Sequence, residues 1–365
     1  MTIAETASVD AVEVHRLRVP LKTPYRLSYG VIECFDALLA VVSVAGRRHA
    51  GESVPLPGYA HERCSDAWDH IRDRAARLTG GSVLDGLLLL EQDRARMPFA
   101  TSALLSAIES ALQDPDRQRP SWVPLVAGVE RASGGALRDA VESVLQNGHR
   151  VVKVKVGWDP DDDARWVTEV QEVIAGRARL RIDANQAYSL PSAVSFAQSI
   201  DESGVEVFEQ PVSATDWDAM VALAGSTALP IMLDEAIDSE AALGRAVELG
   251  GFAAVKFKLA KAGGLRALSA LIDQAHAGGL QVVVGNGVAT EVSNYQELVV
   301  AGDRVETAGE MNGFLRQRES LLLEPLEMRA GGALVPAAPP ELDLEKVASW
   351  SIARERFDGP GAHGH

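Results

Sequence analysis

The chain has 365 residues, 47% of them hydrophobic, and a formal net charge of −16. That length is long for one compact domain and comfortable for two, and the apolar content supports a large core rather than global disorder. An acidic surface repels phosphate backbones and anionic lipid, so neither nucleic acid nor a membrane surface is an expected partner, and an anionic substrate needs local cations or a metal.

The first residues lack a basic stretch followed by an apolar core, so no signal peptide is expected and a cytoplasmic protein is. Residues 10 to about 60 alternate like strands, with Val12, Val14, Leu17 and Val19, then Ala37 to Val44, broken by turns at Ala45-Gly46 and Pro55 to Gly58. Residues 62 to about 114 read as helices; TSALLSAIESALQD places Leu104, Leu105, Ile108, Ala111 and Leu112 on one face. Residues 10–120 are therefore expected to form an α+β domain. From residue 123 apolar runs recur at roughly 25-residue intervals, each followed by a helical stretch: 123–129, 151–157, 180–185, 205–211, 230–235, 252–258, 281–286 and a weaker one at 305–310. Parallel βα units in that number point to a closed (β/α)8 barrel over 121–325, with an open α/β sheet as the alternative. The Pro-rich segment 326–358 leaves the barrel and is expected to return to the first domain. Cys34 and Cys64 form no CxxC or Cys/His cluster, so structural zinc is not expected; idle thiols are the commoner reading and a disulfide the alternative.

A barrel of this kind places its active site at the C-terminal ends of the strands. There the sequence puts Lys153 and Lys155 on the second strand, Asp183 and Asn185 on the third and Glu209 on the fourth. Asp234 and Glu235 follow on the fifth, and Lys256 and Lys258 on the sixth. Residues two apart share a face. Neighbouring strands are ~4.8 Å apart, so Asp183, Glu209 and Asp234 converge. Singly each acid reads as a salt-bridge partner. Together they call for a hard divalent cation, Mg2+ or else Mn2+. Lysines beside such a site have their pKa lowered by the metal and by each other, which suits a base near neutral pH. The alternative is that they only neutralise the acids.

These motifs resemble the muconate-lactonizing subgroup of the enolase superfamily: Lys153-Val154-Lys155 as its KxK, Asp183-Ala184-Asn185, Glu209-Gln210-Pro211, Asp234-Glu235, and Lys258 before Gly263-Gly264. The resemblance covers almost the whole chain, with the first domain as a capping domain. It implies Asp183, Glu209 and Asp234 as metal ligands and Lys155 and Lys258 as an acid/base pair on opposite faces of a carboxylate substrate. It further implies that Lys153 holds the carboxylate and that Asn185 and Glu235 position these groups. The mandelate racemase subgroup, which needs a His at the end of strand seven, is disfavoured by Gly285-Asn286 there. Lys256 departs from the small or amide residue usual at its position; it is either a buried cation paired with an acid or a further contact to substrate or ligands. Glu310 stands where the family places an acid facing the substrate, to receive an ammonium or to orient Lys155. Asn286 and Asn312 lie at the ends of strands seven and eight, and Tyr25, Arg26, Tyr29 and Tyr59 in cap loops expected to close over the site. Proteins of this family often assemble, so a homo-oligomer is expected.

The resemblance implies α-proton abstraction through an enediolate. A racemase or epimerase of an amino-acid derivative or dipeptide is the leading expectation, ahead of a lyase (dehydratase or cycloisomerase, for a hydroxyproline or muconate-like acid). A metal-independent Schiff-base aldolase and a barrel that only binds ligand are the remaining alternatives.

Overall fold

The computed structural model describes residues 6–27, 30–58, 60, 62–113 and 121–360. Strands β1 (Val9–Leu27), β2 (Gly30–Val44) and β3 (Arg47–Ser53) form an antiparallel meander, followed by helices α1 (Cys64–Leu78), α2 (Val83–Glu91) and α3 (Pro98–Ala111). The run ALLAVVSV is apolar at every position but Ser43 because its strand is buried on both faces. Leu38, Ala40, Val42 and Val44 pack into the cluster built on α1–α3. Phe35, Ala37, Leu39 and Val41 join the larger cluster that runs into the second half of the chain.

That half is a β/α barrel. Its strands are β5 (Ala127–Gly128), β6 (Val151–Lys155), β7 (Arg179–Asp183), β8 (Val205–Glu209), β9 (Ile231–Leu233), β10 (Ala254–Phe257) and β11 (Gln281–Val284). They form one parallel sheet in chain order. Between them run α4 (Gly134–Gln146), α5 (Pro160–Ile174), α6 (Leu190–Gln198), α7 (Trp217–Ala224), α8 (Glu240–Leu249), the single turn α9 (Leu259–Ala262) and α10 (Leu265–Ala277). Helix α11 (Glu291–Ala301) follows β11. Asp159, Ser189, Asp216 and Ser239 each cap the following helix with a side-chain oxygen, as their types predict.

The eighth run, 305–310, is not a full strand. Gly309 makes a parallel bridge to Leu125, Val126 N donates to Gly309 O at 2.9 Å, and Glu310 N donates to Val284 O at 2.9 Å. The Thr307 hydroxyl takes the Val282 carbonyl, an acceptor a regular strand would use for its backbone. The segment nevertheless joins β11 to residues 125–126, so the ring closes.

The C-terminal part divides. Strand β4 (Ser121–Pro124), which precedes the barrel, pairs with β13 (Gly332–Val335), itself in a hairpin with β12 (Met328–Arg329). Helix α12 (Leu344–Trp350) then leads to β14 (Ser351–Asp358), which pairs antiparallel with β1. Cys34 and Cys64 are both free thiols. Among the described residues no helix is long and apolar enough to cross a membrane.

Candidate active site

The parallel register sets the site. Lys155 pairs with Asp183, and Asp183 with Glu209, so the strand ends stand level. Val154, Ile182 and Phe208 point away into the buried layer under the helices. The intervening polar residues therefore face the barrel axis. Asp183, Glu209 and Asp234 are 2%, 0% and 4% exposed.

Lys153 Nζ lies 2.9 Å from Asp183 Oδ2, 2.8 Å from Glu209 Oε2 and 2.6 Å from Glu310 Oε1. Lys256 Nζ lies 2.9 Å from Glu209 Oε1, 2.6 Å from Glu310 Oε2 and 3.4 Å from Asp234 Oδ2. Lys153, Glu209, Lys256 and Glu310 thus close an alternating ring in which each glutamate uses both oxygens. On one side of this ring Lys155 donates to Asn185 Oδ1 at 2.5 Å and stands 3.7 Å from Asp183 Oδ2. On the other side Lys258 pairs with Asp234. Lys258 is buried, whereas the Lys155 side chain is 57% exposed.

Removing such charges from water costs several kcal/mol each, and only close pairing offsets it. Burial pushes Lys153 and Lys256 down, but the surrounding carboxylates outweigh it and hold both ammoniums above their ordinary value. Both are therefore held as ammoniums by the acids around them, in keeping with Lys153 as a carboxylate holder and Lys256 as a buried, paired cation. Burial alone would raise Asp183, Asp234 and Glu310, yet the lysines hold all three below the usual carboxylate range. Glu209 is pushed up to about 7 by burial and by Asp183. Burial and Asp234 also raise Glu235.

The loops that follow the strands are locked by side chains. Asn185 (φ +43°) donates its backbone N–H to Asp183 Oδ1 at 2.9 Å and its amide to Glu235 Oε1 at 3.2 Å. Gln210 (φ +35°), wholly buried, accepts from Asp234 N at 3.0 Å and Ala236 N at 3.1 Å, which aims Asp234 inward. Arg181, also wholly buried, donates to Glu206 at 2.9 Å and to Ala308 O at 2.9 Å, and approaches Glu310 Oε1 at 3.5 Å. The sequence motifs assign no role to Gln210 or Arg181. Arg181 is legible only as the residue two before Asp183 on the same face.

Glu310 meets Lys153 and Lys256 instead of Lys155. Asn286 forms a local turn, bonded to Val288 N and O at 2.9 Å each. Asn312 donates weakly to Val126 O at 3.4 Å. Tyr25 lies on strand β1, paired with Ile32, rather than in a loop; the Arg316 guanidinium lies 4.0 Å from its ring centre, and Lys22 donates to Leu315 O at 3.0 Å. The Arg26 backbone pairs with Val31 in the hairpin; its side chain, with Tyr29 and Tyr59, lies outside the described residues. A cavity of about 590 Å3 opens beside Asp234, Lys256 and Lys258 and runs past Lys261 to Arg94 of the cap.

Among the described residues no three acid, imidazole or thiol groups stand gathered into a ready metal cage, and lysines sit on the acid oxygens. The donor set still suits a hard divalent cation. Three buried carboxylates come from adjacent strands with lone pairs beyond those the lysines take. Beside them Glu235 Oε2 is buried without a hydrogen-bond partner.

Comparison with known proteins accords with this arrangement. Residues 136–339 match the model of the family described as enolase C-terminal domain-like. The chain is 23% identical to the N-succinyl-L-Arg/Lys racemase of Bacillus cereus over 84% of this chain and 88% of that protein. It is 28% identical to muconate cycloisomerase 1-2 of Acinetobacter lwoffii over 94% of this chain and 96% of that one. A dipeptide epimerase from Cytophaga hutchinsonii, solved with Mg and the dipeptide D-Ala-L-Val, superposes with a TM-score of 0.81 at 19% identity, over 96% of this chain and 100% of that one. With a family match across more than half its length and a β/α barrel whose strand ends carry these acids and lysines, the chain belongs to the enolase superfamily and is an enzyme.

Proposed function

We propose that the protein removes the proton α to the carboxylate of a small-molecule acid and returns one to the opposite face, as a racemase or epimerase of an amino-acid derivative or dipeptide. The observation that carries this reading is the placement of Lys155 and Lys258 at the ends of β6 and β10, flanking the acids of β7, β8 and β9. One lysine, as free amine, takes the α-proton; the other, as ammonium, gives one up, and the reverse reaction exchanges their roles. Asn185 orients Lys155 and Asp234 orients Lys258. Lys153 and Lys256, held charged, offset the acids of the site, so that a substrate carboxylate does not meet uncompensated negative charge in an otherwise acidic molecule. Asp183, Glu209 and Asp234 would hold Mg2+ (or Mn2+), which supplies charge stabilisation for the carboxylate as its α-carbon loses the proton. The kinship with the Bacillus cereus racemase supports this outcome, and the Mg in the Cytophaga hutchinsonii structure supports the metal.

The similarity to a muconate cycloisomerase over nearly the whole chain favours a second outcome at the same site, elimination or ring closure with one lysine as base. The test is incubation in D2O with Mg2+ and a panel of N-acyl amino acids, dipeptides, hydroxyprolines and muconate-like acids, followed by NMR and mass. Deuterium at the α-carbon of both enantiomers is the expected result. Loss of water or ring closure selects the lyase outcome. Full activity after EDTA, with borohydride trapping, returns the Schiff-base aldolase, and no α-exchange with any acid overturns the reading.

A further inference from the structure

Glu310 faces the barrel axis from the eighth segment, where an acid could receive a substrate ammonium. Its environment closes it to that use. Oε1 takes Lys153 at 2.6 Å and Oε2 takes Lys256 at 2.6 Å, with Arg181 Nη1 a further 3.5 Å from Oε1. A carboxylate that already binds a cation through each oxygen gains little from another, and a third cation forced beside Lys153 and Lys256 meets like charge. The ion count agrees. Asp183, Glu209, Asp234 and Glu310 are matched by Lys153, Lys155, Lys256 and Lys258. With one of Lys155 and Lys258 a free amine, as the proposed chemistry requires, a bound divalent cation leaves these four acids and four lysines one charge positive, which an anion balances and a zwitterion does not.

Lys256 is the residue that decides this. Lys153 alone occupies one oxygen of Glu310 and would leave the other open. Lys256 is 4% exposed, and Glu209, Asp234 and Glu310 together hold its ammonium against Glu310.

We propose that Lys256 is a specificity-determining residue that closes Glu310 to substrate ammonium groups, restricting the enzyme to carboxylates whose α-nitrogen substituent is uncharged, such as N-acyl amino acids, and excluding dipeptides with a free amino terminus. This rests on the α-proton chemistry proposed above and narrows its substrate class.

The test uses isosteric ligands. N-propionyl and N-glycyl amino acids differ only by CH3 against NH3+ at the far end of the acyl group. Matched pairs on alanine, glutamate and lysine are titrated calorimetrically into the full-length protein with Mg2+. The tightest-binding pair is expected to favour the propionyl member at least tenfold. Lys256→Met is expected to narrow that ratio to within threefold and Lys256→Arg to keep it. Lys256→Asn replaces the methionine variant if circular dichroism shows that one unfolded. A glycyl member binding as tightly in the unmodified protein, a ratio unchanged by loss of the ammonium, or no binding by any pair overturns the proposal. Failure of the α-proton reading shows separately, as absence of α-deuterium exchange in ligands that bind with the expected ratio.

Discussion

Lys155 and Lys258 differ in their surroundings although they share a proposed task. Lys155 is half-exposed and held by a neutral amide; Lys258 is buried against a carboxylate. The proposed two-base reading puts each on one side of the substrate, so removing one should not silence both enantiomers. Lys155→Ala and Lys258→Ala are each expected to lower racemisation by about 10²–10⁴-fold. Each variant should still wash deuterium into one enantiomer, and the two variants should spare opposite ones, read as loss of the α-proton signal from each pure enantiomer. Equal exchange of both enantiomers by either variant would remove the two-base assignment. Gln210 acts one step back from the chemistry. Its amide oxygen is the acceptor for two buried N–H groups on the loop that carries Asp234. Gln210→Leu leaves both unpaired, at about 1–3 kcal/mol each. A lower melting temperature is expected, together with Mg2+ affinity weakened about 10–100-fold, because Asp234 is one of the proposed metal ligands. Unchanged Mg2+ affinity by calorimetry would mean that Gln210 only supports the fold. Nothing at position 210 advertises this in sequence. The role appears only where the chain turns at positive φ after β8 and meets the end of β9.

Buried glutamates join elements far apart in sequence. Glu52 on β3 accepts from Thr290 N at 3.2 Å, Thr290 Oγ1 at 3.0 Å and Ser293 N at 3.2 Å, at the first turn of α11. Glu109 on α3 accepts from Leu265 N at 2.5 Å and Arg266 N at 3.3 Å, at the first turn of α10. Two cap elements are thereby fastened to the N-termini of two barrel helices, where backbone donors and the helix dipole favour an acceptor. Burial nevertheless pushes both carboxyls up to about 7 from an ordinary 4.5. A raised carboxyl binds its proton more tightly in the folded state. Its contribution is therefore complete below 4.5 and is lost as pH rises through about 7. Glu52 Oε1 has no hydrogen-bond partner, so Glu52→Gln keeps the accepting oxygen and mimics the protonated acid. The variant is expected to match the unmodified protein near pH 5 and to be more stable at pH 8, by no more than about 3 kcal/mol. Parallel thermal melts at the two pH values check this, and a difference that does not grow with pH removes Glu52 as its source. Local caps such as Ser239 are legible because donor and acceptor lie three residues apart. Glu52 and Glu109 are not, because their partners lie more than 150 positions away. Six of the barrel strands are legible from their apolar runs, whereas the run 123–129 is split between β4, which pairs with β13, and the two-residue β5 of the barrel. The eighth misleads, since nothing in VETAGE shows that the Thr307 side chain takes an acceptor belonging to the ladder.

At the scale of the molecule, the cap depends on the far end of the chain. The cap sheet runs β14, β1, β2, β3, so the last strand covers an edge that β1, 19 residues long, would otherwise expose. The pairing runs from Ala11 opposite Asp358 to Leu17 opposite Ser351 and carries Arg354 and Arg356 onto Glu13. The exposed ion pairs add little; the loss that matters is the ladder itself and the opening of a long strand edge, which recruits other chains. Strands β1 and β2 send buried residues to both faces, one against the cap helices and one into the cluster that includes the barrel, while β14 is half-buried on one face and exposed on the other. A defect at the edge of this sheet is therefore not confined to the cap. Truncation after Trp350 is expected to lower the melting temperature by several degrees, consistent with a loss of a few kcal/mol in a chain of this size. One transition should remain rather than two, and the truncated protein should run with added high-mass material on size exclusion. A second, separate transition in calorimetry would show that the cap and barrel melt independently. An unchanged melting temperature with an unchanged elution profile would show that β1 tolerates an open edge.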